Sequence, residues 1–251
     1  MLEVRNLSCG YSGGDVVKGI DFSVNAGEIF SVTGPNGCGK TTLLRTLCGI
    51  IPYRGGSAKI NGEEISGLKR EELSRRTALL SQTGAGGEYA DFTVFDTVML
   101  GRYARSKGFG TSKADREAVE RCLEQTGTTD LRSRLITELS GGQLQRVFLA
   151  RAFAQEPDII FLDEPANHLD IKYQLKLLEI LREWASGGKT VVGVFHDLNL
   201  AASLSDRMML MNDGKCVLSG NAAEVCRSER LSEVYGFDVR GYMKGSLKIW
   251  E

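Results

Sequence analysis

A chain of 251 residues that is 42% apolar and 25% charged, with a formal net charge of −1, has ordinary globular composition. That excludes disorder as the default and lacks the basic surplus of a nucleic-acid binder, so no nucleic-acid partner is expected. No apolar run approaches the roughly 20 residues of a membrane helix, and Met1-Leu2-Glu3-Val4-Arg5-Asn6 lacks the plan of a signal peptide; the sequence therefore predicts a cytosolic chain, with any membrane part supplied by other chains.

Ile20, Phe22 and Val24 alternate as in a half-buried strand, and Gly27 reads as a turn. Ile29 to Thr33 follows as a continuously buried strand, then a glycine-rich turn, then Thr41 to Cys48 with helical apolar spacing and Gly49 as a stop. Lys69-Arg70-Glu71-Glu72 reads as a solvated helix start. From Gly84 to Gly110 the chain is punctuated by glycines, with aromatics at Tyr89, Phe92 and Phe95. Ser112 is placed to cap a helix whose apolar residues are Ala114, Ala118, Val119, Cys122 and Leu123, ending at Gly127. Residues 84–155 thus read as a mainly helical lobe. Strand–helix alternation then returns: Ile159 to Leu162 as a buried strand, a helix with Leu175, Leu178, Leu181 and Trp184 on one face, and Thr190 to Phe195 as another buried strand. Such alternation predicts a parallel sheet covered by helices. The six cysteines are scattered with no CxxC pair, which points to free thiols rather than disulfides or a zinc site.

Three motifs carry chemistry. Gly34-Pro35-Asn36-Gly37-Cys38-Gly39-Lys40-Thr41 fits G-x-x-x-x-G-K-[ST] in full, between a predicted strand and a predicted helix. Its glycines let backbone N–H groups converge on phosphate oxygens, and the helix N-terminus adds partial positive charge. Lys40 is expected to reach the terminal phosphates and Thr41 to ligate Mg²⁺. Ile159-Ile160-Phe161-Leu162-Asp163-Glu164 is an apolar strand delivering two carboxylates at its C-terminal end, where open α/β sheets bind ligands. Asp163 would support Mg²⁺ and Glu164 would polarise an attacking water; taken alone, such acids also suit capping of the next helix. Leu139-Ser140-Gly141-Gly142-Gln143 opens a third element as a serine-capped helix start, able to hold a second anion.

In this order the three motifs resemble those of ABC ATPases. The resemblance implies an α/β P-loop NTPase fold: a RecA-like core, an N-terminal antiparallel β subdomain and an inserted helical subdomain. The core would be residues 1–83 and 156–251, the helical subdomain 84–155. It further implies that ATP lies between two copies of the chain, with Ser140, Gly141, Gly142 and Gln143 of one closing on the phosphate loop of the other, including Thr42. Tyr11 matches the aromatic that stacks on adenine, although a core tyrosine reads the same way in sequence. Gln82 matches a glutamine that ligates Mg²⁺ and water, Ala166 to Asp170 a segment crossing the dimer, and His196 a histidine sensing the terminal phosphate. His168 is read as surface. Cys38 stands where serine is commoner, and its place beside a helix N-terminus predicts a lowered thiol pKa.

Phe92-Thr93-Val94, Met99 to Tyr103 and Val234 to Val239 resemble the importer ATPases for iron–siderophore, haem, cobalamin and related metal chelates. This branch implies transmembrane permease partners, an extracytoplasmic substrate-binding protein and a place at the cytoplasmic face of the membrane. The alternative is a soluble ABC ATPase acting as an assembly switch.

Overall fold

The computed structural model describes residues 1–81, 91–105, 111–167 and 169–247. The chain begins as a hairpin of β1 (Leu2–Tyr11) and β2 (Gly14–Val24), then crosses to a second sheet in β3 (Ile29–Thr33), which leads into α1 (Lys40–Leu47). It returns to the first sheet in β4 (Tyr53–Ile60) and β5 (Glu63–Glu64), and crosses back through α2 (Arg70–Arg76) to β6 (Thr77–Leu80). Three helices follow: α3 (Val94–Met99), α4 (Lys113–Gln125) and α5 (Gly141–Ala154). The second sheet resumes with β7 (Ile159–Asp163), α6 (Ile171–Ser186), β8 (Thr190–Val194), α7 (Leu198–Leu204), β9 (Arg207–Asn212) and β10 (Lys215–Asn221). The short helices α8 (Ala222–Arg227), α9 (Glu229–Tyr235) and α10 (Val239–Leu247) end the described chain.

The first sheet is antiparallel, in the order β2-β1-β4-β5. The second runs β10-β9-β3-β8-β7-β6, parallel from β9 to β6, with β10 antiparallel at one edge. The sequence decides which strands are central. β3, β7 and β8 are buried at every position, as expected for strands covered on both faces. β2 instead buries Ile20, Phe22 and Val24 and exposes Asp21 and Ser23, so only one of its faces is covered.

Two apolar clusters hold the layers. One joins the two sheets through α1: Leu43, Leu44 and Leu47 pack with Leu2, Ile20 and Phe22, and Phe22 stacks on Phe30 with ring centroids 5.2 Å apart. The other joins α3, α4 and α5 to the far face of the parallel sheet, through Val98, Leu123, Val147, Phe153 and Leu181. There Phe153 packs on Trp184 at 4.6 Å.

Two helix faces differ from the sequence reading. On α6 the buried row is Leu177, Leu178, Ile180 and Leu181, whereas Leu175 is exposed, as is Ile171 one turn earlier. The apolar stripe is about one residue off the predicted row, because Leu175 belongs to a second apolar row on the solvent side. On α4 Ala114 is exposed and Asp115 buried. Asp115 closes a capping box with Ser112 and also accepts from Arg102 Nε at 3.0 Å, so its burial is satisfied by specific partners.

Candidate active site

Because β3, β7 and β8 are parallel neighbours, their C-terminal ends emerge at one edge of the sheet. The turn after β3 is the phosphate-loop motif, β7 ends in Asp163 and Glu164, and β8 is followed by Phe195 and His196. Residues separated by more than 150 positions in sequence are thus delivered to one rim by topology alone.

The loop from Gly34 to Gly39 needs glycine where it turns. Gly34 has φ 145° and lies so close to β9 that a Cβ there would sit 2.1 Å from the Met211 carbonyl oxygen. Gly39 has φ 105° and forms the N-terminal boundary of α1. Pro35, Asn36 and Gly37 cross the outer side of the loop, with Asn36 and Gly37 exposed. The Lys40 ammonium is buried within the curl, donating to the Gly34 and Pro35 carbonyls at 2.8 Å each. Thr42 is buried inside the first turn of α1. Cys38 departs from expectation. Its thiol is buried under the loop, and desolvation pushes its pKa up, outweighing the opposing pull of nearby Lys40.

Thr41 Oγ1 donates to Asp163 Oδ1 at 3.1 Å. Asp163 is buried, which raises its pKa, against the Thr41 hydrogen bond and aided by the neighbouring Glu164 charge. A threonine hydroxyl and a carboxylate together offer the hard oxygen donors that Mg²⁺ takes beside phosphate oxygens. Glu164 adopts φ 56°, a left-handed conformation that costs a non-glycine residue about 1–3 kcal/mol. It is held there by its N–H donating to the Val194 carbonyl at 3.0 Å, a bond made by the strand that carries His196. The Glu164 side chain is nearly buried; Oε1 meets His196 Nε2, and Oε2 accepts from Asn167 Nδ2 at 2.6 Å.

The third motif, Leu139 to Gln143, lies at the start of α5. Ser140 and Gln143 form a reciprocal capping box: Gln143 N–H donates to Ser140 Oγ at 3.3 Å, and Ser140 N–H donates to Gln143 Oε1 at 2.9 Å. Ser140 and Gly141 are exposed and Gly142 half-buried. Tyr11 ends β1 and is also exposed, its hydroxyl 3.4 Å from Arg45 Nη1 of α1. It borders an open cleft of about 510 Å³ lined by Ser12, Arg45, Ile50, Pro52 and Arg54. A tyrosine so placed is not a core residue. Gln82 and His168 lie outside the described residues.

The structure thus gathers Lys40, Thr41, Asp163, Glu164 and His196 at one sheet edge, while Ser140 to Gln143 form a separate polar helix start. Some contacts were not foreseen from sequence. Asn167 was read only as part of the dimer-crossing segment, yet its amide restrains Glu164. Gln145 Nε2 donates to the Pro165 carbonyl at 3.2 Å, and the Arg146 guanidinium stacks on the Tyr173 ring at 3.9 Å. These two bind α5 to the segment after β7. Their only signal in sequence is their place two and three residues after Gln143.

Residues 17–167 match the family described as ABC transporter, which is more than half of the chain. The chain belongs to the ABC transporter family. Its relatives include the hemin import ATP-binding protein HmuV of Jannaschia sp. (strain CCS1), 38% identical over 94% of this chain and 87% of that protein. Another is the iron(3+)-hydroxamate import ATP-binding protein FhuC of Bacillus subtilis (strain 168), 36% identical over 94% of this chain and 88% of that protein. Among solved structures, a dimeric ATP-binding cassette in a post-hydrolysis state bound to ADP and phosphate aligns with TM-score 0.80 at 27% identity, over 88% of this chain and 99% of that one. An inward-facing ABC transporter described as of metal-chelate type aligns with TM-score 0.80 at 29% identity, over 94% of this chain and 88% of that one. This ABC ATPase has the family fold, and ATP hydrolysis is its activity. Among the described residues no helix is long and apolar enough to cross a membrane.

Proposed function

We propose that this ABC ATPase hydrolyses Mg²⁺-bound ATP at an interface shared by two copies of the chain, and that it energises an importer of an iron–siderophore, haem, cobalamin or related metal chelate. The observation that carries the mechanism is the contact of Glu164 with His196 and Asn167 beside the Lys40 loop. Phosphoryl transfer to water requires positioning and electrostatic support more than covalent chemistry.

In this reading, the loop N–H groups from Gly34 to Thr41 cradle the phosphates, and Lys40 exchanges its loop carbonyls for the terminal phosphate oxygens. Thr41 and Asp163, with Gln82 as the family resemblance implies, would hold Mg²⁺, which would supply positive charge to the phosphates. Glu164, aimed by Asn167, accepts the proton of the attacking water. His196 contacts the terminal phosphate. Tyr11 stacks on adenine along the cleft of β1. Ser140, Gly141, Gly142 and Gln143 of the second copy supply the opposite wall, their helix N-terminus facing the anion. The contact exists only when both copies meet, so ATP favours the closed pair and loss of phosphate favours opening.

The division into a core of residues 1–83 and 156–251 and a helical part of residues 84–155 gives this closure a lever. Movement of the helical part passes to the permease chains docked on it. The import names of the relatives support this branch over the assembly switch. A substrate-binding protein outside the membrane would then deliver the chelate, and this chain would sit at the inner face.

The test is ATPase rate against protein concentration, with co-purification of polytopic membrane chains from the native host. A rate rising faster than linearly, together with recovered permease chains, is expected. A strictly linear rate from a monomer, with no membrane chains recovered, would overturn both the shared site and the importer role.

A further inference from the structure

The root of the phosphate loop is touched by a part of the chain far from the three chemical motifs. Tyr235, the last residue of α9, reaches under the end of β3. Its hydroxyl lies 3.2 Å from Thr33 Oγ1. Thr33 is buried and Gly34 is the first residue of the loop. The phenol therefore meets the side chain of the last residue of β3, at the point where strand turns into loop. The Met211 carbonyl of β9 closes on the neighbouring Gly34, so β9 and α9 both meet the chain where it leaves β3.

Tyr235 is itself held in place. Gly236 ends α9 with φ 74°, and Ser232 Oγ accepts the Val239 N–H at 3.1 Å, which folds α10 back along α9. The Tyr235, Phe237 and Tyr242 rings follow one another edge to face, at 6.4 and 6.0 Å. From α10, Met243 Sδ lies 3.5 Å from Asn199 Nδ2, on the helix that follows His196. One C-terminal segment thus touches the root of the phosphate loop and the helix behind His196.

We infer that Tyr235 is a positioning residue for the phosphate loop: its hydroxyl holds the Thr33 side chain, and with it the end of β3 from which the loop departs, so that the loop N–H groups converge, and through it the C-terminal segment sets nucleotide affinity. This rests on residues 34–41 being the nucleotide site. Tyr235 does not touch substrate. Its effect belongs to binding, because a loop that must first be ordered lowers affinity by the fraction of time it spends disordered.

The experiment uses the full chain and a fluorescent ATP analogue. Tyr235→Phe removes one oxygen and keeps the ring, and Thr33→Val removes the partner hydroxyl at near-constant volume. Each variant is expected to weaken analogue binding roughly five-fold, the scale of one lost hydrogen bond. KM for ATP should rise in parallel, kcat should stay within about two-fold, and the melting temperature should move by less than about 3 °C. The double variant should bind no more weakly than the weaker single one, because both act through one contact. Unchanged affinity in Tyr235→Phe, additive losses in the double variant, or a loss that tracks a lowered melting temperature would overturn the inference. Lys40→Ala separates the two levels. If it abolishes binding while Tyr235→Phe has no effect, only the role of Tyr235 fails; if Lys40→Ala binds normally, the nucleotide site itself is misassigned and the inference falls with it.

Discussion

His196 at the end of β8 meets Glu164 at the end of the neighbouring β7, Nε2 against Oε1, while Asn167 restrains the other carboxylate oxygen at 2.6 Å. Glu164→Gln keeps the shape of this contact and removes the base. ATP affinity should remain within about three-fold, turnover should fall by about 10²-fold or more, and the variant should elute as a dimer when ATP is present. Size exclusion with and without ATP checks this; a monomer in ATP counts against the shared site.

Asn167→Ala leaves Glu164 and His196 in place but removes the amide that restrains one carboxylate oxygen. A loss of about three- to ten-fold in single-turnover hydrolysis is expected, with ATP affinity unchanged, since misaiming a base costs rate rather than binding. Equal losses in affinity and rate would mean that Asn167 serves the fold of the segment instead.

Lys40→Ala removes the one ammonium buried in the loop among the described residues. ATP binding should weaken by about 10²-fold or more, on the scale of losing a charge-assisted contact. Titration with a fluorescent nucleotide measures it directly. Thr41→Ala should spare binding of nucleotide without Mg²⁺ and weaken binding with it.

Cys38 should be a slow thiol. Burial raises its pKa, so the reactive thiolate is scarce at neutral pH and grows as pH rises past the ordinary range near 9. Iodoacetamide labelling followed by peptide mapping should give little Cys38 adduct at pH 7.5 and more as the pH is raised above the ordinary thiol range. Rapid labelling at pH 7.5 would contradict the buried geometry.

Asp115→Ala should destabilise the chain by about 2–3 kcal/mol, because buried Arg102 loses a partner and α4 loses half of its capping box. That corresponds to a melting temperature lower by about 5–10 °C at pH 7. The Ser112 hydroxyl and Arg102 lower the Asp115 pKa from 3.8 to about 2. A depressed folded-state pKa means stability present above the unfolded value and lost as pH falls toward the folded one. The gap between wild type and variant should therefore narrow between pH 4 and pH 2; a constant gap would mean that the carboxylate charge is not what stabilises.

Much of this protein was determined locally. A phosphate loop works through glycine backbone freedom and a helix N-terminus, both specified within eight consecutive residues from Gly34 to Thr41. The inner strands are legible for the same reason, since a run such as Ile159 to Leu162 has no polar face to show solvent. The capping boxes at Ser112 and Ser140 are likewise short-range, each closing over three residues. Side-chain partners across elements are a different matter. Nothing near Glu164 in sequence indicates that His196 will meet it, until β7 and β8 pair in parallel register and bring Asp163 opposite Val194. Cys38 shows the limit most clearly: a helix N-terminus predicts a lowered pKa, but the depth of burial that reverses it is set by the chain packed around the loop. Tyr235 lies 202 residues from Thr33, in a stretch that the sequence marks only by its likeness to importer ATPases, so its place under the phosphate loop follows only from the path of the C-terminal helices around the parallel sheet. Local chemistry is written in short spacings, whereas burial and contacts between distant strands exist only once the sheet has closed.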